Sequence, residues 1–165
     1  MRTIAAVLLG VFLVIPYPAL PDAPIYLIRH AEKGDGDDPP LTTFGRQRAA
    51  LWAEMLSEAE LALVVSSTAA RTRETAALIA EALVLPHEEF PAQDTASVID
   101  LIWFDYEGQA VLVVAHTETL GALMRGLGAS ETPEVSQENF DRLFVLWPDS
   151  GEIVELRMPS VGTAR

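Results

Sequence analysis

From Pro24 onward, short apolar runs alternate with longer segments of helical period, and this alternation limits the fold more than any other feature of the chain. Ile25 to Arg29, Leu61 to Ser66 and Ala110 to Ala115 read as buried strands, with a shorter one at Glu88 to Phe90. Between them lie helical stretches. One is capped by Thr42 or Thr43 and runs to about Ser57, with Leu51, Met55 and Leu56 on one face. A second is capped by Ser67 or Thr68 and runs through Leu83, with Ala76, Leu78, Ile79 and Leu83 among its apolar positions. Thr95 to Tyr106 and Thr117 to Leu127 follow, the last ended by Gly128. Leu143 to Trp147 and Ile153 to Arg157 read as a final hairpin across Pro148 to Gly151. Strands that alternate with helices predict an α/β fold of three layers (αβα), a mostly parallel sheet with helices on both faces.

The N-terminus stands apart from this pattern. Met1-Arg2-Thr3 is weakly basic, Ile4 to Ile15 is apolar apart from Gly10, and Pro16 to Pro21 breaks the run. The run has neither strand nor helix period, and it is short for a membrane span of about 20 residues. Residues 1–23 therefore read as a signal peptide or N-terminal anchor, and residues 24–165 as one domain. The expected protein is exported, periplasmic or extracellular, with a membrane tether if the segment stays attached.

A net charge of −13, from 11 basic and 24 acidic residues, argues against nucleic acid as a partner. Any anion site must be a local positive pocket. With no cysteine, thiolate nucleophiles and zinc–thiolate sites are excluded.

In an open α/β sheet, ligands bind beyond the carboxyl ends of the strands. His30 follows the first strand with Arg29 beside it, and His116 follows the run Val111 to Ala115. Taken singly, either histidine is more often a satisfied boundary residue. Together they share one edge of a parallel sheet. Arg71 lies in the first turns of the helix after Val64-Val65-Ser66, where unpaired N–H groups favour anions and a guanidinium matches phosphate oxygens. Its bland alternative is a solvated pairing with Glu74 or Thr75, and Arg73 suits the exposed role better.

The blocks Leu27-Ile28-Arg29-His30-Ala31-Glu32-Lys33, Leu41-Thr42 to Gly45, Ser66-Ser67 to Arg71-Thr72-Arg73-Glu74-Thr75-Ala76, and Val111 to His116 resemble the histidine phosphatase superfamily, which includes the phosphoglycerate mutases. The short length and the Arg-His-Ala-Glu-Lys form resemble its small phosphatases. The resemblance implies a phosphoglycerate mutase-like fold. It also implies a phosphohistidine formed on His30, with Arg29, Arg71 and His116 holding the phosphoryl group and no metal or other cofactor required. Nearby arginines disfavour imidazolium, which keeps the nucleophile neutral, and they stabilise the equatorial oxygens in transfer.

The chain departs from the family pattern in three places. Ala31 and Ala115 replace usual glycines, and Thr117 follows His116 where some members carry an aspartate acid. The proton donor is therefore open: Asp94 is the first choice, Glu118 the second, and Glu32 a third. The expectation is a phosphomonoester hydrolase acting on a phosphorylated small molecule or a phosphoprotein. A phosphoryl-binding or sensing module and a phosphoglycerate mutase-like phosphotransferase are the alternatives. The acidic loop carrying Asp35, Asp37 and Asp38 disfavours highly anionic substrates.

Overall fold

The computed structural model describes residues 23–158. The segment read as a signal peptide or anchor lies, apart from Ala23, outside the described residues. Strands β1 (Ile25–Arg29), β2 (Leu63–Ser67), β3 (His87–Phe90), β4 (Val111–Ala115), β5 (Arg142–Trp147) and β6 (Glu152–Arg157) form one sheet in the order β3-β2-β4-β1-β5-β6. Four strands are parallel. β5 runs antiparallel to β1, and β6 antiparallel to β5. Helices α1 (Thr43–Met55), α2 (Ala70–Leu83), α3 (Thr95–Asp105) and α4 (Thr117–Gly126) complete the element order.

Side-chain alternation along the strands divides the core into two clusters. Ile25, Leu27, Val65 and Val113 pack against Val98 and Ile102 of α3 and Leu120, Leu123 and Met124 of α4. Ile28, Val64, Leu112 and Val114 pack against Trp52 and Ala53 of α1 and Ala76, Ile79 and Ala80 of α2. β1, β2 and β4 are covered on both faces, which explains their unbroken apolar runs. The fold is the three-layer αβα arrangement.

Local chemistry shifts several boundaries. Thr42, not Thr43, caps α1: its Oγ1 accepts from the Gly45 N–H at 3.0 Å and donates to the Glu32 carbonyl at 3.2 Å. A Cβ on Gly45 would overlap that carbonyl oxygen and sit 3.1 Å from its carbon, so only glycine lets the first turn of α1 approach the chain leaving β1. The buried face of α1 is Ala49, Trp52 and Ala53, continued by Leu56. Met55, expected on it, is exposed because it lies about 100° from Leu56 on a 3.6-residue turn. α2 begins later than expected. Its N-cap is Ala69, which has no side chain for the purpose, and Ser67 closes β2 instead.

Candidate active site

The ladder between β1 and β4 fixes the two histidines. Arg29 is in register with Ala115, and the His30 N–H donates to the Ala115 carbonyl at 3.0 Å. Each strand's next residue then falls at the same sheet edge, and the His30 and His116 rings stand 5.5 Å apart, edge to face. Both are buried, at 3% and 2% exposure.

The hydrogen bonds assign each ring a tautomer. His30 Nδ1 lies 2.8 Å from the Ala31 carbonyl oxygen, which can only accept, so Nδ1 carries the proton. Nε2 is left with a free lone pair, the form a nucleophile requires. Burial, with lesser contributions from Arg29, His116 and Arg71, pushes the His30 pKa down to about 3. His30 is therefore neutral at physiological pH. The Ala31 N–H donates to Thr75 Oγ1, which itself donates to the Arg71 carbonyl, so the loop after β1 is pinned to α2.

His116 is held the other way round. Arg71 Nη2 donates to its Nδ1 at 3.2 Å, and its Nε2–H points to Ser67 Oγ at 2.8 Å. Ser67 Oγ is hydrogen-bonded in turn to Thr72 Oγ1, which also faces the Ser67 and Ala69 carbonyls. Burial and then Arg71 hold the His116 pKa below the usual histidine value. Ser67, read from sequence as a helix cap, is thus the residue that orients the second histidine.

The arginines complete the positive pocket. Arg29 Nη1 donates to the Gln137 carbonyl, and its guanidinium lies over the Phe140 ring at 4.2 Å. Phe140 also borders His30, with centroids 6.0 Å apart. Arg71 is not paired with Glu74. That carboxylate takes Arg46 and the Leu41 N–H, while Arg73 is exposed. Arg71 Nη1 instead lies 3.6 Å from Asp38 Oδ1. The Nε atoms of both Arg29 and Arg71 are buried without a partner among the described residues, as is Thr117 Oγ1 beside His116. Buried N–H groups without acceptors are costly and are expected where an anion binds.

The three candidate acids have different fates. Asp94 is the N-cap of α3: Oδ1 accepts from the Ser97 N–H at 3.2 Å and Oδ2 from the Ser97 hydroxyl at 2.9 Å. It borders a small cavity of about 20 Å³ on one side of His116, but both of its oxygens are engaged. Glu32 is paired with Arg48, whose Nε lies 2.9 and 2.8 Å from its two oxygens. Glu118 stands in the first turn of α4, exposed, and its charge bears on both Arg29 and His116. Phe140, Gln137 and Ser67 were not legible as site residues, and Asp38 was read only as part of an acidic loop that disfavours highly anionic substrates. Gln137 acts through its carbonyl, and the others reach the site only through the packing of distant segments.

His30, His116, Arg29 and Arg71 thus form a neutral imidazole pair flanked by guanidinium donors, an arrangement suited to a phosphoryl anion. Known proteins with a similar sequence or fold point the same way. The family model of the histidine phosphatase superfamily (branch 1) matches residues 25–94. A solved structure from Agrobacterium tumefaciens, assigned as the phosphohistidine phosphatase SixA, is 25% identical over 78% of this chain and 92% of its own, with a TM-score of 0.56. The SixA assigned in Nakamurella multipartitia is 22% identical, covering 84% of this chain and 96% of its own at a TM-score of 0.59. The mycobacterial glucosyl-3-phosphoglycerate phosphatase Rv2419c is 17% identical, covering 82% and 97% at a TM-score of 0.58. No curated protein matches the chain significantly. The chain is thus similar to the histidine phosphatase superfamily in its first strands and helices, and to these phosphatases in fold.

Proposed function

We propose that the protein is a metal-independent phosphomonoester hydrolase that works through a phosphohistidine on His30. The observation that carries this reading is the free Nε2 of a neutral, buried His30 beside two arginines whose Nε atoms have no partner among the described residues. In the proposed reaction, His30 Nε2 attacks phosphorus, the P–O bond to the leaving alcohol breaks, and a proton reaches the departing oxygen. Water then attacks the phosphohistidine, the P–N bond breaks, and inorganic phosphate leaves. Arg29 and Arg71 hold the equatorial oxygens, and His116 completes the cradle.

Glu118 is the proposed proton donor, since Asp94 and Glu32 are engaged elsewhere. Substrates are a phosphorylated small molecule or a phosphoprotein, the two kinds suggested by the similar structures. We also propose that residues 1–23 direct export or tether the protein to a membrane; no helix among the described residues is long and apolar enough to cross one.

The test is a rapid-quench experiment with a labelled aryl phosphate. Wild type should show a burst of acid-labile, base-stable phosphoenzyme, and His30→Ala should show neither burst nor turnover while keeping its circular dichroism spectrum. If His30→Ala retained more than a few per cent of wild-type turnover, the mechanism would be wrong.

A further inference from the structure

Asp38 is far from Arg71 in sequence and belongs to the acidic loop after β1. Its Oδ1 accepts the Ala70 N–H at 2.9 Å, in the first turn of α2, and lies 3.6 Å from Arg71 Nη1. α2 has no side-chain cap of its own at Ala69. One carboxylate from another loop therefore serves both the helix end and the arginine.

The two ends of the guanidinium are used differently. Nη1 faces Asp38, Nη2 faces His116 Nδ1, and Nε is buried with no partner among the described residues. Nε and Nη2 form the side-on edge of an arginine, the edge that grips two oxygens at once. With Nη1 occupied by Asp38, that edge is turned to His116 and the pocket. We propose that Asp38 is a positioning residue: it takes one end of Arg71 so that the other edge is presented to the phosphoryl group.

This role rests on the phosphatase reading only for its consequence, since the orientation of Arg71 can be measured without turnover. The experiment is NMR of the Arg71 Nε–Hε group, assigned by its loss in Arg71→Lys, in wild type and in Asp38→Asn. Asparagine still offers an oxygen to the Ala70 N–H, so a residue that only caps α2 would tolerate it. The expected result is an ordered Nε–Hε in wild type and a mobile one in Asp38→Asn, with an unchanged melting temperature. An equally ordered Arg71 in Asp38→Asn would overturn the proposal.

Vanadate binding gives the second readout. Asp38→Asn should weaken it by up to about fivefold, the upper range for an exposed ion pair, and the change should vanish in an Arg71→Ala background. Tighter vanadate binding in Asp38→Asn would make Asp38 a competing anion instead, and a loss that persists without Arg71 would place its effect elsewhere; either result overturns the proposal. If wild type neither bound vanadate nor turned over an ester, the phosphatase reading would fail, while the NMR result would still decide the role of Asp38.

Discussion

Acidifying the empty protein should reveal the buried nucleophile as a loss of stability. The His30 pKa lies at about 3 in the folded chain, against 6.5 for an unperturbed histidine. The unfolded chain therefore takes up this proton first as pH falls. The stabilisation from a neutral His30 is fully present above pH 6.5 and is lost as pH drops toward 3. At 1.36 kcal/mol per pKa unit, integration from pH 7 to pH 4 gives a loss of about 3 kcal/mol from His30 alone. That is a large share of the 5–15 kcal/mol typical of a domain. His116 and His87 are lowered in the same direction, mainly by burial, and add to the slope. The assay is urea unfolding at pH 7 and pH 4 for wild type and His30→Gln, in which the remaining groups still titrate. The wild type should lose about 3 kcal/mol more than the variant over this interval. An equal loss in both proteins, or an imidazole signal of folded His30 with its midpoint near pH 6, would refute the argument that the pocket is desolvated. The same displacement means that protonation of His30 should not set the acid limb of kcat/KM above about pH 4.

Three further outcomes are expected. Arg29→Ala and Arg71→Ala should each weaken vanadate inhibition about tenfold or more, since a hydrogen bond to a charged group is worth roughly 1.5–3 kcal/mol; unchanged inhibition removes that arginine from the site. Glu118→Gln should slow alkyl phosphate hydrolysis far more than hydrolysis of an aryl phosphate with a good leaving group, by roughly 10²-fold or more if it is the acid. Asp94→Asn should instead lower the melting temperature through its helix cap, at about 1 kcal/mol, and equal, small kinetic losses in both variants would leave neither as donor. A protein beginning at Ala23 should fold and keep its activity, as read from its circular dichroism and its turnover of an aryl phosphate; an unfolded product would make the preceding residues structural.

Periodicity and residue type were enough to place the elements of this chain near their observed positions. A five-residue strand buried on both faces must be an unbroken apolar run, so β1 and β4 were legible, and so were the histidines that follow them. Parallel pairing then required both to share one edge. Helix starts were less legible, because caps are local choices that tertiary contacts can override. Ser67 is a good capping residue by type, yet the fold gives its hydroxyl to His116, and Asp38 from a distant loop serves the first turn of α2. Asp94 shows the converse: read as an acid from its place after β3, it is engaged at the first turn of α3. The sequence by itself determined the αβα class and the meeting of His30 and His116 at one sheet edge, because those depend on spacing along the chain. Only the tertiary structure decided which candidate carboxylates are engaged elsewhere, which tautomer each histidine adopts, and that Phe140 lies against Arg29. Those outcomes depend on which distant groups compete for the same hydrogen bonds, and no local pattern records that competition.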